Sequence, residues 1–96
     1  MKYIIFFIFI YNLYTMEKNQ YNKEGQLHGY WEGYWSDGKL ASKGNFINNK
    51  KDGYWEYYYG NGALYFKGNY INGIREGYWE TYYYNGKLDL MEYYVI

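Results

Sequence analysis

The tetrapeptide Gly-Tyr-Trp-Glu stands at Gly29–Glu32, Gly53–Glu56 and Gly77–Glu80, 24 residues apart each time. Other marks keep that step: Gly38, Gly62 and Gly86 inside turn dipeptides, Leu40, Leu64 and Leu88, and Lys-Gly-Asn at Lys43–Asn45 and Lys67–Asn69. A period of this length marks a supersecondary unit that buries its apolar surface only against its neighbours, so it constrains the architecture before any local propensity does. The unit occupies residues 29–52 and 53–76, and a shortened third copy, residues 77–96, has Met91, Glu92 and Tyr93 where Lys-Gly-Asn would fall and reads as a cap. Residues 16–28 read as a partial leading repeat, with "YNKEGQLHG" at Tyr21–Gly29 resembling the tail of a unit.

Each unit carries two turn signals. Asp37-Gly38, Asn61-Gly62 and Asn85-Gly86 are dipeptides favoured by two-residue type I′ hairpins, and Asn72-Gly73 and Asn48-Asn49 supply the second turn. Between the turns run Tyr, Trp, Phe, Ile and Leu, which suit a pleated surface. Closing the hairpin at Asn61-Gly62 places Glu56 opposite Lys67, Trp55 opposite Gly68 and Tyr57 opposite Phe66, and Asp37-Gly38 places Glu32 opposite Lys43. These are an opposite-charge pair, a Trp over a facing glycine and an aromatic pair, each a stabilising cross-strand combination. The Asn72-Gly73 turn, continued in the same register, sets Gly68 against Gly77 and Phe66 against Trp79.

The expected fold is therefore all-β: a single-layer antiparallel meander of tandem 24-residue hairpins, six strands from Gly29 to Val95. Nothing after Gly29 reads as a helix that could cover the sheet. A single layer gains burial from large flat side chains lying on one another, which accounts for an aromatic content of 28% in a chain with no proline and no cysteine. The apolar face contains Trp31, Trp55, Tyr57, Phe66, Tyr70, Trp79 and Tyr83, the candidate interaction surface.

The 24-residue period, the G-x-W-x-x-Y-Y-x-N-G-x-L core and the Y-x-N-G-x-x-x-G link resemble MORN repeats, specifically the variant found in bacterial and viral proteins of the YwqK antitoxin-like type. The resemblance covers Gly29 to Ile96. It implies an elongated ribbon of antiparallel hairpins used for scaffolding, protein contacts or, more loosely, phospholipid contact, and it implies no catalytic residues.

Chemistry-bearing residues are sparse. His28 is the single histidine and reads as a turn residue beside Gly29. Absence of cysteine removes thiolate catalysis, disulfides and Cys-based zinc sites. Glu32, Glu56 and Glu80 recur on one face, but the lysines opposite argue for exposed cross-strand pairs rather than a cation site. The Asn-Gly turns lack the Lys-Ser/Thr sequel of a phosphate loop, and Lys50-Lys51 reads as a solvated link. No cofactor, metal site or catalytic residue is expected. Ten basic and ten acidic side chains cancel, so no overall field points to nucleic acid.

"MKYIIFFIFIYNLYT", residues 1–15, breaks the pattern. It reads either as a signal or anchor, without a small-residue cleavage site, or as an extension upstream of a start at Met16. The first reading implies export or membrane anchoring, the second a cytoplasmic chain. Two functional classes follow. One is a non-enzymatic protein-interaction or scaffolding ribbon that docks a partner or a second copy. The other is an aromatic ligand-binding repeat, similar to choline- or glucan-binding cell-wall repeats, holding a sugar or quaternary ammonium by stacking and cation–π contact.

Overall fold

A computed structural model of the chain describes residues 17–95, so the N-terminal stretch and the alternative start at Met16 lie outside the described residues. Seven strands follow one another: β1 (Gln20–Tyr21), β2 (Leu27–Tyr34), β3 (Leu40–Ile47), β4 (Lys50–Tyr58), β5 (Leu64–Ile71), β6 (Ile74–Tyr82) and β7 (Leu88–Tyr94). They form one antiparallel sheet in sequence order, and there is no helix among the described residues. The strand beyond the expected six is β1, supplied by the partial leading repeat.

Two kinds of turn alternate along the ribbon. Asn48-Asn49 and Asn72-Gly73 are two-residue turns with positive φ at both residues (49° and 72°, 52° and 83°), matching the type I′ expectation. The Asp37-Gly38, Asn61-Gly62 and Asn85-Gly86 turns are different. At Asn61-Gly62 only the glycine has positive φ; Gly62 N donates to Tyr59 O at 3.0 Å and Tyr59 N to Ala63 O at 2.8 Å. This is a three-residue loop, a type I turn completed by a left-handed glycine. The Asx residue is selected by its side chain, not by left-handed backbone: Asn61 Oδ1 accepts from Ala63 N at 2.9 Å, and Asp37 and Asn85 do the same for Lys39 and Lys87.

The register around these loops follows expectation: Trp55 faces Gly68, Glu56 faces Lys67, Tyr57 faces Phe66, and Glu32 faces Lys43. Across the two-residue turns it does not continue unbroken. Between β5 and β6, Asn69 pairs with Glu76 and Lys67 with Glu80, so two steps on β5 span four on β6, and Phe66 faces Thr81 instead of Trp79. The same bulge separates β3 from β4, with Gly53 inside it at φ 80°.

The bulge decides where the tryptophans go. Trp55 lies over Gly44 on the preceding strand, so close that a Cβ there would sit 2.1 Å from its ring, and Trp79 lies likewise over Gly68 at 2.2 Å. The glycines are platforms for indoles, as expected, but for the indole of the following repeat and not of the directly facing residue. Each indole is locked by a hydrogen bond to a main-chain oxygen: Trp31 Nε1 to Gln20 O, Trp55 Nε1 to Asn45 O and Trp79 Nε1 to Asn69 O, at 3.0, 2.9 and 3.1 Å. Trp55, Tyr70 and Trp79 form the buried core, flanked by Phe46, Tyr57, Phe66 and Tyr94.

Candidate functional site

The aromatic face is organised as a line of rings, one from each strand. Tyr21, Trp31, Phe46, Trp55, Tyr70, Trp79 and Tyr94 follow one another at centroid separations of 5.3, 6.0, 5.0, 6.4, 4.9 and 6.5 Å, every contact edge-to-face. Edge-to-face packing sets the positive rim of one ring against the negative face of the next, adding about 0.5–1.5 kcal/mol per pair beyond area burial. Tryptophan stands on the even strands and Tyr or Phe on the odd ones. The line therefore alternates contacts within a repeat with contacts across a repeat boundary, the latter at Tyr21–Trp31, Phe46–Trp55 and Tyr70–Trp79.

Two cations sit against this face. Lys51 Nζ lies 5.1 Å from the Trp55 ring, 4.9 Å from Tyr57 and 5.3 Å from Tyr70. Arg75, 24 residues on, places its guanidinium 4.3 Å from Trp79 and 5.3 Å from Phe66, and donates to Tyr94 Oη at 3.2 Å. Lys51 is thus not a solvated link residue, as the sequence reading held, but the counterpart of Arg75 in an aromatic box. Its signal was the 24-residue spacing to Arg75, obscured by the change of residue type.

The opposite face is built on carboxylates flanked by tyrosines. Tyr30 and Tyr34 donate to Glu32, Tyr54 and Tyr58 to Glu56, and Tyr82 to Glu80. Across the sheet Glu32, Lys43, Glu56, Lys67 and Glu80 are successive Cα partners. The ion pairs formed are Lys18–Glu32 at 2.6 Å and Lys43–Glu56 at 3.3 Å, so Lys43 turns to the later of its two neighbours and not to Glu32. Hydrogen bonds from Lys18, Tyr34 and Tyr30 hold the Glu32 carboxyl down at about 2. For Glu56, burial pushes upward, but the bonds from Tyr58, Tyr54 and Lys43 outweigh it and the net shift is down. Burial and the Glu32 carboxylate raise Tyr30 to about 12, and the bond to Glu80 followed by burial raises Tyr82 to about 12. Among the described residues no three His, Asp or Glu side chains gather as a metal site.

Of the residues singled out from sequence, Trp31, Trp55, Tyr57, Phe66, Tyr70 and Trp79 come together on the aromatic face, while Tyr83 stands exposed in the last loop, its N–H bonded to Lys87 O. Trp55 and Trp79 are 3% and 2% exposed, so they offer a partner almost no surface. Exposed apolar side chains concentrate instead at the C-terminal end: Leu88, Leu90, Met91 and Tyr93 on β7, with Tyr78 beside them. His28 is exposed, level with Gln20.

The edges of the sheet differ. Beside β2, Asn19 N donates to Tyr30 O at 2.9 Å, and the Asn19 side chain accepts from Glu32 N at 2.8 Å and donates to Glu32 O at 3.2 Å, so a short segment and one amide close that edge. Among the described residues, strand β7 has no neighbour beyond it.

An open, single-layer array of hairpins that interlock ring by ring defines a tandem β-hairpin repeat protein. The family model described as a MORN repeat variant matches residues 27–48, 51–72 and 75–95, and the chain belongs to that family, one generally non-catalytic. Among curated proteins none matches it.

Proposed function

We infer that the chain is a non-enzymatic docking module whose contact surface is the C-terminal strand. The observation that carries this reading is the composition of β7. Where the earlier copies place Lys43 and Lys67 in the charge row, the third places Met91, the Cα partner of Glu80 and 51% exposed. Lysine on an edge strand discourages strand addition; β7 has none, and presents Leu88, Leu90, Met91 and Tyr93 beside main-chain groups that no other described strand pairs. A partner that adds a strand would gain both main-chain hydrogen bonds and apolar contact. Choline binding is disfavoured by the boxes themselves, since Lys51 and Arg75 already occupy the positions a quaternary ammonium would take.

Light scattering on the full chain, alongside Met91→Lys, tests the reading. The parent is expected to run as a dimer or larger species, or to be recovered crosslinked to a protein through β7, and Met91→Lys to lose that association. A parent that stays monomeric and crosslinks to nothing refutes it.

A further inference from the structure

On the aromatic face between β2 and β4 lies a hollow of about 330 Å³, walled by Trp31, Phe46, Trp55 and Tyr57 with Lys51 at its rim. One repeat further along, the corresponding space is filled. There Tyr57 and Phe66 stack at 4.2 Å and 17°, with the Arg75 guanidinium 5.3 Å from the Phe66 ring. The residues 24 positions before that ring pair are Gly33 and Ser42, both lining the hollow, and the residue 24 before Arg75 is Lys51. The hollow is the imprint of a stacked pair of rings that the first repeat omits.

We propose that this hollow receives a tyrosine side chain presented by a partner polypeptide. Its shape suits a flat ring, because the walls are themselves rings already engaged edge-to-face with one another. Its size is sufficient: an apolar cavity of ~150 Å³ holds a benzene. Charge selects among rings. The Lys51 ammonium at the rim attracts the negative face of an aromatic and repels a cationic ligand. A hydroxyl adds a further partner, since Lys51 Nζ already donates to the Tyr57 hydroxyl and that hydroxyl lies 3.1 Å from the Tyr70 hydroxyl. The chain's own repeat shows the result: a tyrosine held on this face by stacking below and a lysine beside its oxygen.

The site shares with the docking role only the premise of a protein partner, and it lies at the other end of the sheet from β7. The test is a titration of the full chain, followed by tryptophan fluorescence and by NMR shifts, with p-cresol, a capped Gly-Tyr-Gly peptide and choline. Saturable binding of p-cresol and the peptide, with shifts centred on Trp31, Phe46 and Trp55 and no response to choline, is expected. The double variant Gly33→Tyr, Ser42→Phe rebuilds the ring pair and is expected to abolish binding while raising the melting temperature. Ser42→Phe alone, which leaves the β2 backbone untouched, gives the same loss of binding should the double variant not fold. Met91→Lys retains binding, which separates this site from the edge. No saturable response, or binding that survives the filled hollow, overturns the proposal; binding of p-cresol without the peptide overturns the polypeptide occupant.

Discussion

Gly68→Ala places a single methyl group where the structure has no room for it. The new Cβ would lie 2.2, 2.3 and 2.6 Å from Cδ2, Cε2 and Cγ of Trp79. Carbon atoms settle at about 3.5–4.0 Å, so the indole must withdraw by more than ~1 Å. Withdrawal is opposed from several sides: Trp79 is 2% exposed, its ring meets Tyr70 at 4.9 Å and Tyr94 at 6.5 Å, and its Nε1 is bonded to Asn69 O at 3.1 Å. Accommodating the methyl by strain costs ~1–3 kcal/mol. Expelling the ring costs ~3–5 kcal/mol, the range for losing a large buried aromatic. Because the ring is fixed both by packing and by its hydrogen bond, a loss of ~3 kcal/mol is expected. For a domain of this size each kcal/mol moves the melting temperature by ~4–8 °C, which gives a fall of roughly 12–24 °C.

Gly60→Ala is the matched control. That glycine is not in the left-handed region and a Cβ there meets nothing within 4 Å. Its effect is expected to lie within ~1 kcal/mol of the parent, on the stabilising side, through a stiffer unfolded chain. Thermal melts followed by circular dichroism and by tryptophan emission read both variants. A Gly68→Ala protein that melts with the parent and with Gly60→Ala refutes the close approach of indole to glycine, and with it the packing that joins one repeat to the next.

Trp55→Ala is expected to cost ~3–5 kcal/mol and to melt all strands together, since the ring line passes through it; Trp31→Ala, less buried, is expected to cost less in the same melt. Stability falls in acid through Glu32: its folded pKa of about 2 lies below the ordinary 4.5, so its contribution is present above the unfolded value and is lost as pH drops toward 2. Glu32→Gln removes that part of the pH profile. In alkali the sign is the reverse: Tyr30 and Tyr82, raised from 10 to about 12, stabilise below their unfolded value and lose that contribution as pH climbs from 10 to 12. Tyrosinate absorbance against pH should show a late-ionising class that disappears on unfolding.

The period, the strands and the pairing around Gly62 were legible because they depend on residues that recur in phase. The loop type was not, because Asx-Gly serves both a type I′ turn, through left-handed backbone, and a type I turn with a left-handed glycine, through the Asx side chain. The bulges were signalled by Gly53 in β4 and Gly77 in β6, whose positive φ of 80° and 73° no side-chain pattern displays. Missing them misplaced Trp79 against Phe66 by two positions and laid the Trp55 ring over its Cα partner Gly68 instead of Gly44. Strand β1 escaped notice because its turn is off period: Asn22 N donates to Gln26 O in a three-residue loop where later units use two residues. At the site, the ring positions and their lying on one another were legible; which ring covers which was not, because that depends on the bulges, and so Trp55 and Trp79 read as contact surface although they are almost wholly covered. The hollow was written as a departure from the repeat, Gly33 and Ser42 in place of two rings, and only the filled copy reveals what is missing.

The same stacking rule bears on how β7 can be used. Each added repeat lays a tryptophan on a glycine of the strand before it, Trp55 on Gly44 and Trp79 on Gly68. The next platform in phase is residue 92, and it is Glu92, the Cα partner of Trp79. A side chain there denies a seat to any further indole, so another unit cannot extend the line in the way β4 extends β3. At the far end, Asn19 occupies main-chain groups of β2 that head-to-tail growth would require. Both halves of a heterologous contact are therefore obstructed, whereas two β7 edges can meet across a two-fold axis through their aliphatic residues and the main chain that no other described strand pairs. When the partner is a second copy, the expected product is a closed dimer whose mass stops rising with concentration. Light scattering over a dilution series checks this: a plateau at twice the monomer mass is the expected result, and continued growth into filaments would sink the argument. Glu92→Gly restores the platform but leaves the Asn19 end closed, so it too is expected to stop at the dimer.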